Sequence, residues 1–343
     1  MATPLEFPCP ISPDDGGVVL LGHGGGGLLS QRLLEQLILP ALGSAGGVLL
    51  DAATLPAEAG ELAFSTDGHV VRPLEFPGGD IGSMAVIGTV NDLAMVGAMP
   101  LALSLGLILE EGLPLDTLRR VLRSAAAAAR RCGVSIVTGD TKVVERGKAD
   151  GLFMTSAGVG RIPAGVAIGP TSIRPGDAIL VSGDLGRHGV AILAAREELG
   201  FSSSLESDLA PLHASIQALL AAGLELHALR DLTRGGLAAA LHELCRDAGL
   251  GALVQEPLVP IHGAVAAACE LLGLDPLTMA SEGRFVLMLP AAQAQEALRL
   301  LSREQPSAAI IGRIGGEAVR LETSLGVCRP LELGRGELLP RIC

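Results

Sequence analysis

An α/β (α+β) chain of two domains is predicted from three observations. The chain has 343 residues, too many for one ordinary hydrophobic core. Strand-like apolar runs interleave with helical ones along its length. Residues 161–176 carry three prolines and three glycines, a composition that interrupts regular structure and separates two such series.

Composition narrows the class. Hydrophobic residues are 49% and charged residues 18% of the chain, which is globular rather than disordered. Trp and Tyr are absent, so the cores are built from Leu, Val, Ile and Ala, and base-stacking surfaces for single-stranded nucleic acid are not expected. A net charge of −12 argues against nucleic-acid binding. A site for ATP stays open, because Mg²⁺ lets acidic residues hold phosphate. The cysteines, at positions 9, 132, 245, 269, 328 and 343, form no C-x-x-C pair, which argues against a zinc knuckle. No basic segment precedes an apolar core near the start, and no apolar run is long enough to span a bilayer. The expectation is a cytoplasmic protein with reduced thiols and no membrane contact. Lysine occurs only at 142 and 148, against 23 arginines. A retained Lys asks for a compact charge or a shiftable pKa, unless codon bias explains the scarcity.

Residues 1–44 read as an arm, with a short strand at Val18–Leu21, a glycine run that includes His23, Gly24 and Gly25, and a helix from Leu28 to about Leu42. Bare N–H groups ahead of a helix suit an anion. The run lacks G-K-[ST], so it is no P-loop, and a hinge is the alternative. The first domain spans 45–160. It opens on a strand end carrying Asp51, followed by a strand pair over Leu62–Val71 with Asp67-Gly68 as its turn. Asp80 is a natural N-cap for a helix over Ile81–Gly97. That helix is apolar nearly all round, hence buried, yet it carries Asn91 and Asp92. A buried carboxylate needs a partner or a metal. Asp92 therefore meets an Arg, or joins Asp51, Asp67 and Asp140 at strand ends in metal or phosphate binding. A strand over Leu101–Leu109 and a helix over Leu115–Cys132 with an arginine-rich solvated face follow. The strand Val134–Val137 leads into Asp140, Thr141 and Lys142, and Gly151–Gly160 is a further strand.

The second domain spans 161–326. Its strands are placed at Asp177–Val181 and Phe285–Leu289, with two more after residue 302. Its helices are placed at Val190–Leu199, Leu209–Ala222, Leu237–Ala248, 262–273 and Ala291–Ser302. Asp231-Leu-Thr-Arg-Gly-Gly236 leads into the third helix, and Glu282 precedes the strand at Phe285. A tail over 327–343 closes on Leu339-Pro-Arg-Ile-Cys343. Pro340 stiffens the approach to the thiol. Arg341 favours the thiolate and the α-carboxylate opposes it. Taken alone, such an end reads as a ragged terminus.

Taken together, the stretch Pro77–Leu101, Gly139-Asp-Thr-Lys-Val-Val144, the glycine run at His23, Asp231–Gly236 and the terminal Pro-Arg-Ile-Cys343 resemble the hydrogenase maturation factor HypE family over nearly the whole chain. The core N-D-x-A-M-x-G-A-x-P marks only the superfamily of ATP-using enzymes that includes aminoimidazole-ribonucleotide synthetase. The P-R-I-C end narrows it. The resemblance implies a two-domain aminoimidazole-ribonucleotide synthetase-like fold with an N-terminal ATP-binding domain, and a homodimer paired through that domain's strands. It implies that the carbamoyltransferase HypF loads Cys343, that ATP dehydrates the S-carbamoyl group to a thiocyanate, and that the cyanide passes to iron on a HypC–HypD complex for NiFe-hydrogenase. Asp51, Asp67, Asp92 and Asp140 would hold Mg²⁺. His23, Gly24, Gly25, Asp67, Asp80, Asn91, Asp92, Asp140 and Thr141 would contact the nucleotide.

In the same resemblance Lys142 would stabilise charge on the amide oxygen or phosphate, and Glu282 would take the N–H proton. For Glu282 a plain salt bridge to Arg284 is the competing reading. Ser281 and Gly68 depart from the Asn and Ser expected in relatives. Two other functions compete: an ATP-dependent synthetase or kinase acting on a diffusible substrate, and a non-catalytic thiol carrier.

Overall fold

The computed structural model describes residues 27–33, 35, 53–57, 60–196, 205–334 and 341–342. The strand expected at Val18–Leu21 and the site residues His23, Gly24, Gly25, Asp51 and Cys343 lie outside them.

After α1 (Leu28–Leu33), the first domain comprises β1 (Ala53–Ala57), β2 (Gly60–His69), a hairpin of β3 (Glu75–Phe76) and β4 (Gly79–Asp80), α2 (Ile81–Met95), β5 (Met99–Glu110), α3 (Leu115–Arg131), β6 (Ser135–Val144) and β7 (Leu152–Ile162). Its five-stranded sheet has the order β1-β2-β7-β5-β6. Only β5 and β6 pair in parallel. Residues along β7 alternate between buried and more exposed, as one core-facing sheet surface requires. The arginines of α3 form the expected wet face, with Arg120 bidentate to Glu75 at 2.7 and 2.8 Å.

Two local expectations are corrected. No turn interrupts β2, because Asp67 and Gly68 pair with Ser156 and Thr155 of β7. A long neighbouring strand supplies backbone partners, which outweighs the turn preference of Asp-Gly. Asp140 and Lys142 lie within β6 rather than beyond its end, since β5 pairs with that strand through Val144.

The second domain comprises β8 (Ala178–Val181), α4 (Arg187–Ala195), α5 (His213–Ala221), β9 (Ala228–Asp231), α6 (Gly236–Ala248), β10 (Ala252–Gln255), α7 (Gly263–Leu272), β11 (Phe285–Leu289), α8 (Ala294–Leu301), β12 (Ala309–Ile314), β13 (Val319–Glu322) and β14 (Cys328–Pro330). Its sheet runs β14-β13-β10-β12-β8-β11-β9. Because successive side chains point to opposite faces, β8 feeds two cores. Ile179 and Val181 pack with Leu237 and Leu241 on one side, and Leu180 packs with Leu219 and Leu287 on the other. α4 begins earlier than expected, at Arg187, after Gly186 turns the chain with φ of 80°. α5 begins later, at His213, just beyond Pro211. Residues 328–330, expected in the tail, pair with β13 at the sheet's edge.

α2 joins the two halves. Asp80 caps it, accepting from Ser83 N at 2.8 Å, while the Ser83 hydroxyl answers the Asp80 N–H at 3.1 Å. Nearly every residue of the helix is buried. Ile81, Met84 and Val90 enter the first domain's core, whereas Ala94 and Met95 enter a core of the second. A Cβ on Gly82 would stand 2.2 Å from Val121 O, so only glycine lets α3 approach this closely. Among the described residues no helix is long and apolar enough to cross a membrane.

Candidate active site

One face of β2 presents Ser65, Asp67 and His69, two residues apart, towards α2. A Cβ on Gly88 of α2 would lie 3.2 Å from His69 Cε1 and 3.3 Å from Asp67 Oδ2. Ser65 donates to Asp92 Oδ2 at 2.6 Å. His69 is buried, with Nε2 3.3 Å from Ser156 Oγ and 3.5 Å from Asp67 Oδ2. Burial lowers its pKa; Asp67 counteracts this and the Arg234 cation reinforces it. The imidazole therefore stays neutral near pH 7. Asp67 remains about one-third exposed at 32%, so its carboxylate is open to a ligand.

The second domain brings Glu282 to the same region. Its carboxyl is buried, and Oε1 has no hydrogen-bond partner. Burial raises its pKa well above the ordinary value, and the carboxylates of Asp231, Asp67 and Asp208 raise it further against the opposing Arg234. Burial and the neighbouring carboxylates thus favour the protonated form of Glu282. Its backbone is pinned: the N–H donates to Asp208 Oδ1 at 3.0 Å, and the carbonyl accepts from Asn91 Nδ2 at 3.3 Å. A Cβ on Gly283 would fall 1.9 Å from Asp208 O, so this turn needs glycine. The salt bridge to Arg284 is not formed. Arg284 instead reaches Asp184 Oδ1 and Asp184 O, both at 3.0 Å, and Gly283 O at 2.8 Å. Burial works against the Asp184 charge, but Arg284 and Arg187 outweigh it and hold that carboxyl below its usual range.

Arg341 and Ile342 dock at the junction. Ile342 is buried with Val71, Phe76 and Ile81 of the first domain and Ile192 and Ala280 of the second. Arg341 O accepts from Arg72 N at 3.1 Å and Arg196 Nη2 at 2.7 Å. The Arg341 guanidinium pairs with Asp150. Ile342 O meets His188 Nε2 at 2.5 Å.

The fold thus gathers Asp67, Asp92 and Glu282 around one junction. Asn91, expected to contact nucleotide, clamps the second domain in this structure: it donates to Ala210 O at 3.1 Å and to Glu282 O, and accepts from Leu212 N at 2.8 Å. The carboxylate of Asp80 serves the helix cap. Asp140 and Lys142 pair at 2.5 Å on the exposed edge strand β6, at 69% and 67% exposure. Thr141 lies between them on that strand. Two strands separate β6 from β2, roughly 14 Å of sheet. Asp140 is therefore held apart from Asp67 within one chain, and no group of three or more His, Cys, Asp or Glu has metal-binding geometry among the described residues. Asp208, Asp184, His69 and His188 carry no expected role in the sequence, and Asp231 enters it only as part of a motif. The acid-then-glycine pattern of Asp231–Gly236 and Gly183–Gly189 was the available signal, repeating that of the first domain.

Fold and site define a class, the AIR synthase related proteins. The family's N-terminal domain matches residues 50–162 and its C-terminal domain residues 174–322. Within that class the chain belongs to the HypE family of carbamoyl dehydratases. It is 48% identical over 334 residues to carbamoyl dehydratase HypE of Azotobacter vinelandii, covering 95% of this chain and 98% of that one. It is similar to the crystal structure of a HypE–HypF complex, with 38% identity, a TM-score of 0.83 and coverage of 88% and 99%. It is also similar to hydrogenase maturation protein HypE in complex with ATP, with 44% identity, a TM-score of 0.80 and coverage of 95% and 100%.

Proposed function

We propose that this chain is an ATP-dependent carbamoyl dehydratase that works on its own Cys343 and supplies the cyanide ligand of a NiFe-hydrogenase. HypF delivers the carbamoyl group to the thiol. The amide oxygen of the S-carbamoyl group then takes a phosphoryl group from ATP, which leaves as ADP. The C–O bond breaks with oxygen departing on phosphate, both N–H protons leave, and S–C≡N remains. Phosphorylation is needed because an amide oxygen is otherwise a poor leaving group. The cyanide then passes to iron on a HypC–HypD complex, in the cytoplasm.

The observation that supports this reading is the seat of Ile342. It packs with Ala280, two residues before Glu282, and immediately precedes Cys343. The residue before the carrier thiol is thereby seated against the segment that leads into Glu282. A synthetase with a diffusible substrate has no use for such a seat, and a plain thiol carrier has none for Glu282.

Asp67 and Asp92 offer hard carboxylate oxygens that would suit Mg²⁺ held jointly with ATP phosphates, and the unpartnered Glu282 Oε1 borders Asp67 electrostatically. A bound Mg²⁺ would neutralise charge on the transferring phosphoryl group. Glu282, once ionised, accepts an N–H proton. Lys142 and Asp140 join only across a homodimer laid along β6, whose neighbourhood exposes Ile136, Val137, Met99 and Leu101.

Mass spectrometry tests the reading. Incubation with HypF, carbamoyl phosphate and ATP should add one carbamoyl mass to Cys343. Adding ATP to the isolated carbamoylated protein should then remove one water mass. A carbamoyl group that persists with ATP would overturn the dehydratase, and Cys343→Ala should acquire no mass.

A further inference from the structure

We propose that His188 is the positioning residue of the carrier tail, its Nε2–H gripping the carbonyl of Ile342 so that the next residue is delivered in register. The inference rests on the reading of Cys343 as the carrier thiol.

The hydrogen-bond pattern allows one arrangement. Ile342 O can only accept, so His188 Nε2 carries the proton in the 2.5 Å contact. Nδ1 of the neutral ring then accepts from the Ser207 hydroxyl at 2.8 Å. Burial takes the His188 pKa down to about 4, so a single neutral tautomer holds at working pH. Ser207 is itself fixed. Its N–H donates to Pro77 O at 2.8 Å, and its Oγ accepts from Leu209 N at 3.2 Å. Phe76 stands edge-on to the imidazole at 5.4 Å and 83°.

The tail answers this rigid donor over two residues. Arg341 adopts φ of 59°, a left-handed conformation that a non-glycine residue keeps only where contacts hold it. Those contacts are the two donors on its carbonyl and the Asp150 pair. Arg72, Phe76 and Asp150 come from the first domain, and His188, Arg196 and Ser207 from the second. The seat therefore exists only while the domains meet. His188 touches none of the acids described above, so its effect on the reaction passes through the tail.

The conservative pair His188→Asn and His188→Gln separates positioning from mere packing. A Gln amide nitrogen reaches the place of Nε2; an Asn amide reaches only that of Nδ1. Alkylation of Cys343 by N-ethylmaleimide, without ATP or HypF, is followed by mass spectrometry on the Glu-C peptide Leu338–Cys343. ATP affinity is measured by calorimetry, and single-turnover dehydration on the carbamoylated protein. His188→Asn should alkylate about tenfold faster and dehydrate about tenfold slower, the effect of one lost buried hydrogen bond, with ATP affinity unchanged. His188→Gln should recover most of both. Unchanged alkylation in His188→Asn, equal loss of ATP affinity, or no advantage of Gln over Asn would each overturn the proposal. If His188→Asn does not fold, Asp150→Asn loosens the same tail from the other side and should speed alkylation; unchanged alkylation there also overturns it. The alkylation contrast judges the seat even in a protein that never dehydrates, so the two readings fail separately.

Discussion

Asn91 and Glu282 meet across the domain junction: the Asn91 amide donates to the Glu282 backbone carbonyl at 3.3 Å, while the Glu282 carboxyl oxygen Oε1 stays buried without a partner. The main chain of the acid is thus held from the first domain while this carboxyl oxygen keeps no protein partner. Under the proposed function, that division suits a poised acid–base group.

Asn91→Ala should cost about 2–4 kcal/mol, because two buried hydrogen bonds and one part-buried one lose their side-chain partner. Dehydration should fall along with stability, since Glu282 loses its anchor. Urea unfolding together with single-turnover kinetics checks both, and a variant with wild-type stability would remove the clamp.

Glu282 gives a pH dependence of defined sign. Its folded pKa lies well above the ordinary 4.5, so between those values the folded state binds the extra proton. Stability of the nucleotide-free protein should therefore fall as pH rises from about 4.5 and level off above the folded pKa. Dehydration should rise through that folded value as the base form appears. Glu282→Gln should lose this stability slope and the reaction together. Thermal melts across pH measure the first, and a slope that survives in the Gln variant would assign it to another group.

Asp92→Ala should abolish ATP hydrolysis while Cys343 still accepts the carbamoyl group from HypF. Phosphate release and intact-mass measurements read the two separately. Retained hydrolysis would take Asp92 out of the phosphate site.

Lys142→Ala should leave stability nearly unchanged, because its exposed pair with Asp140 contributes below about 1 kcal/mol. Dehydration should drop more than nucleotide affinity. Mixing this variant with Glu282→Gln should restore activity to about a quarter of the wild-type sites if the site spans a symmetric dimer. No restoration would confine Lys142 to its own chain or remove it from the reaction.

Much of the fold was legible in local pattern. The all-apolar run after Asp80 is the buried helix α2, and Phe285–Leu289 is a strand buried on both faces. Periodicity and capping act within a few residues, so sequence records them. Elements went astray where a distant strand overrode a local signal. Asp67-Gly68 looks like a turn until β7 supplies its backbone partners.

For the site, the sequence by itself determined the residue types: four aspartates, a scarce lysine, a glutamate before a strand, and a thiol beyond Pro-Arg-Ile. Tertiary structure decided which of them meet. Asn91 became a clamp, Asp140 and Lys142 went to a sheet edge, and Glu282 lost its expected Arg284 partner to Asp184. His188, unremarkable in the chain, became the receiver of Ile342. Burial, and the pKa shifts that follow from it, depend on neighbours 74 residues away at Asp208 or 154 away at Ile342. Local chemistry names the groups, and long-range packing sets their charge and partners.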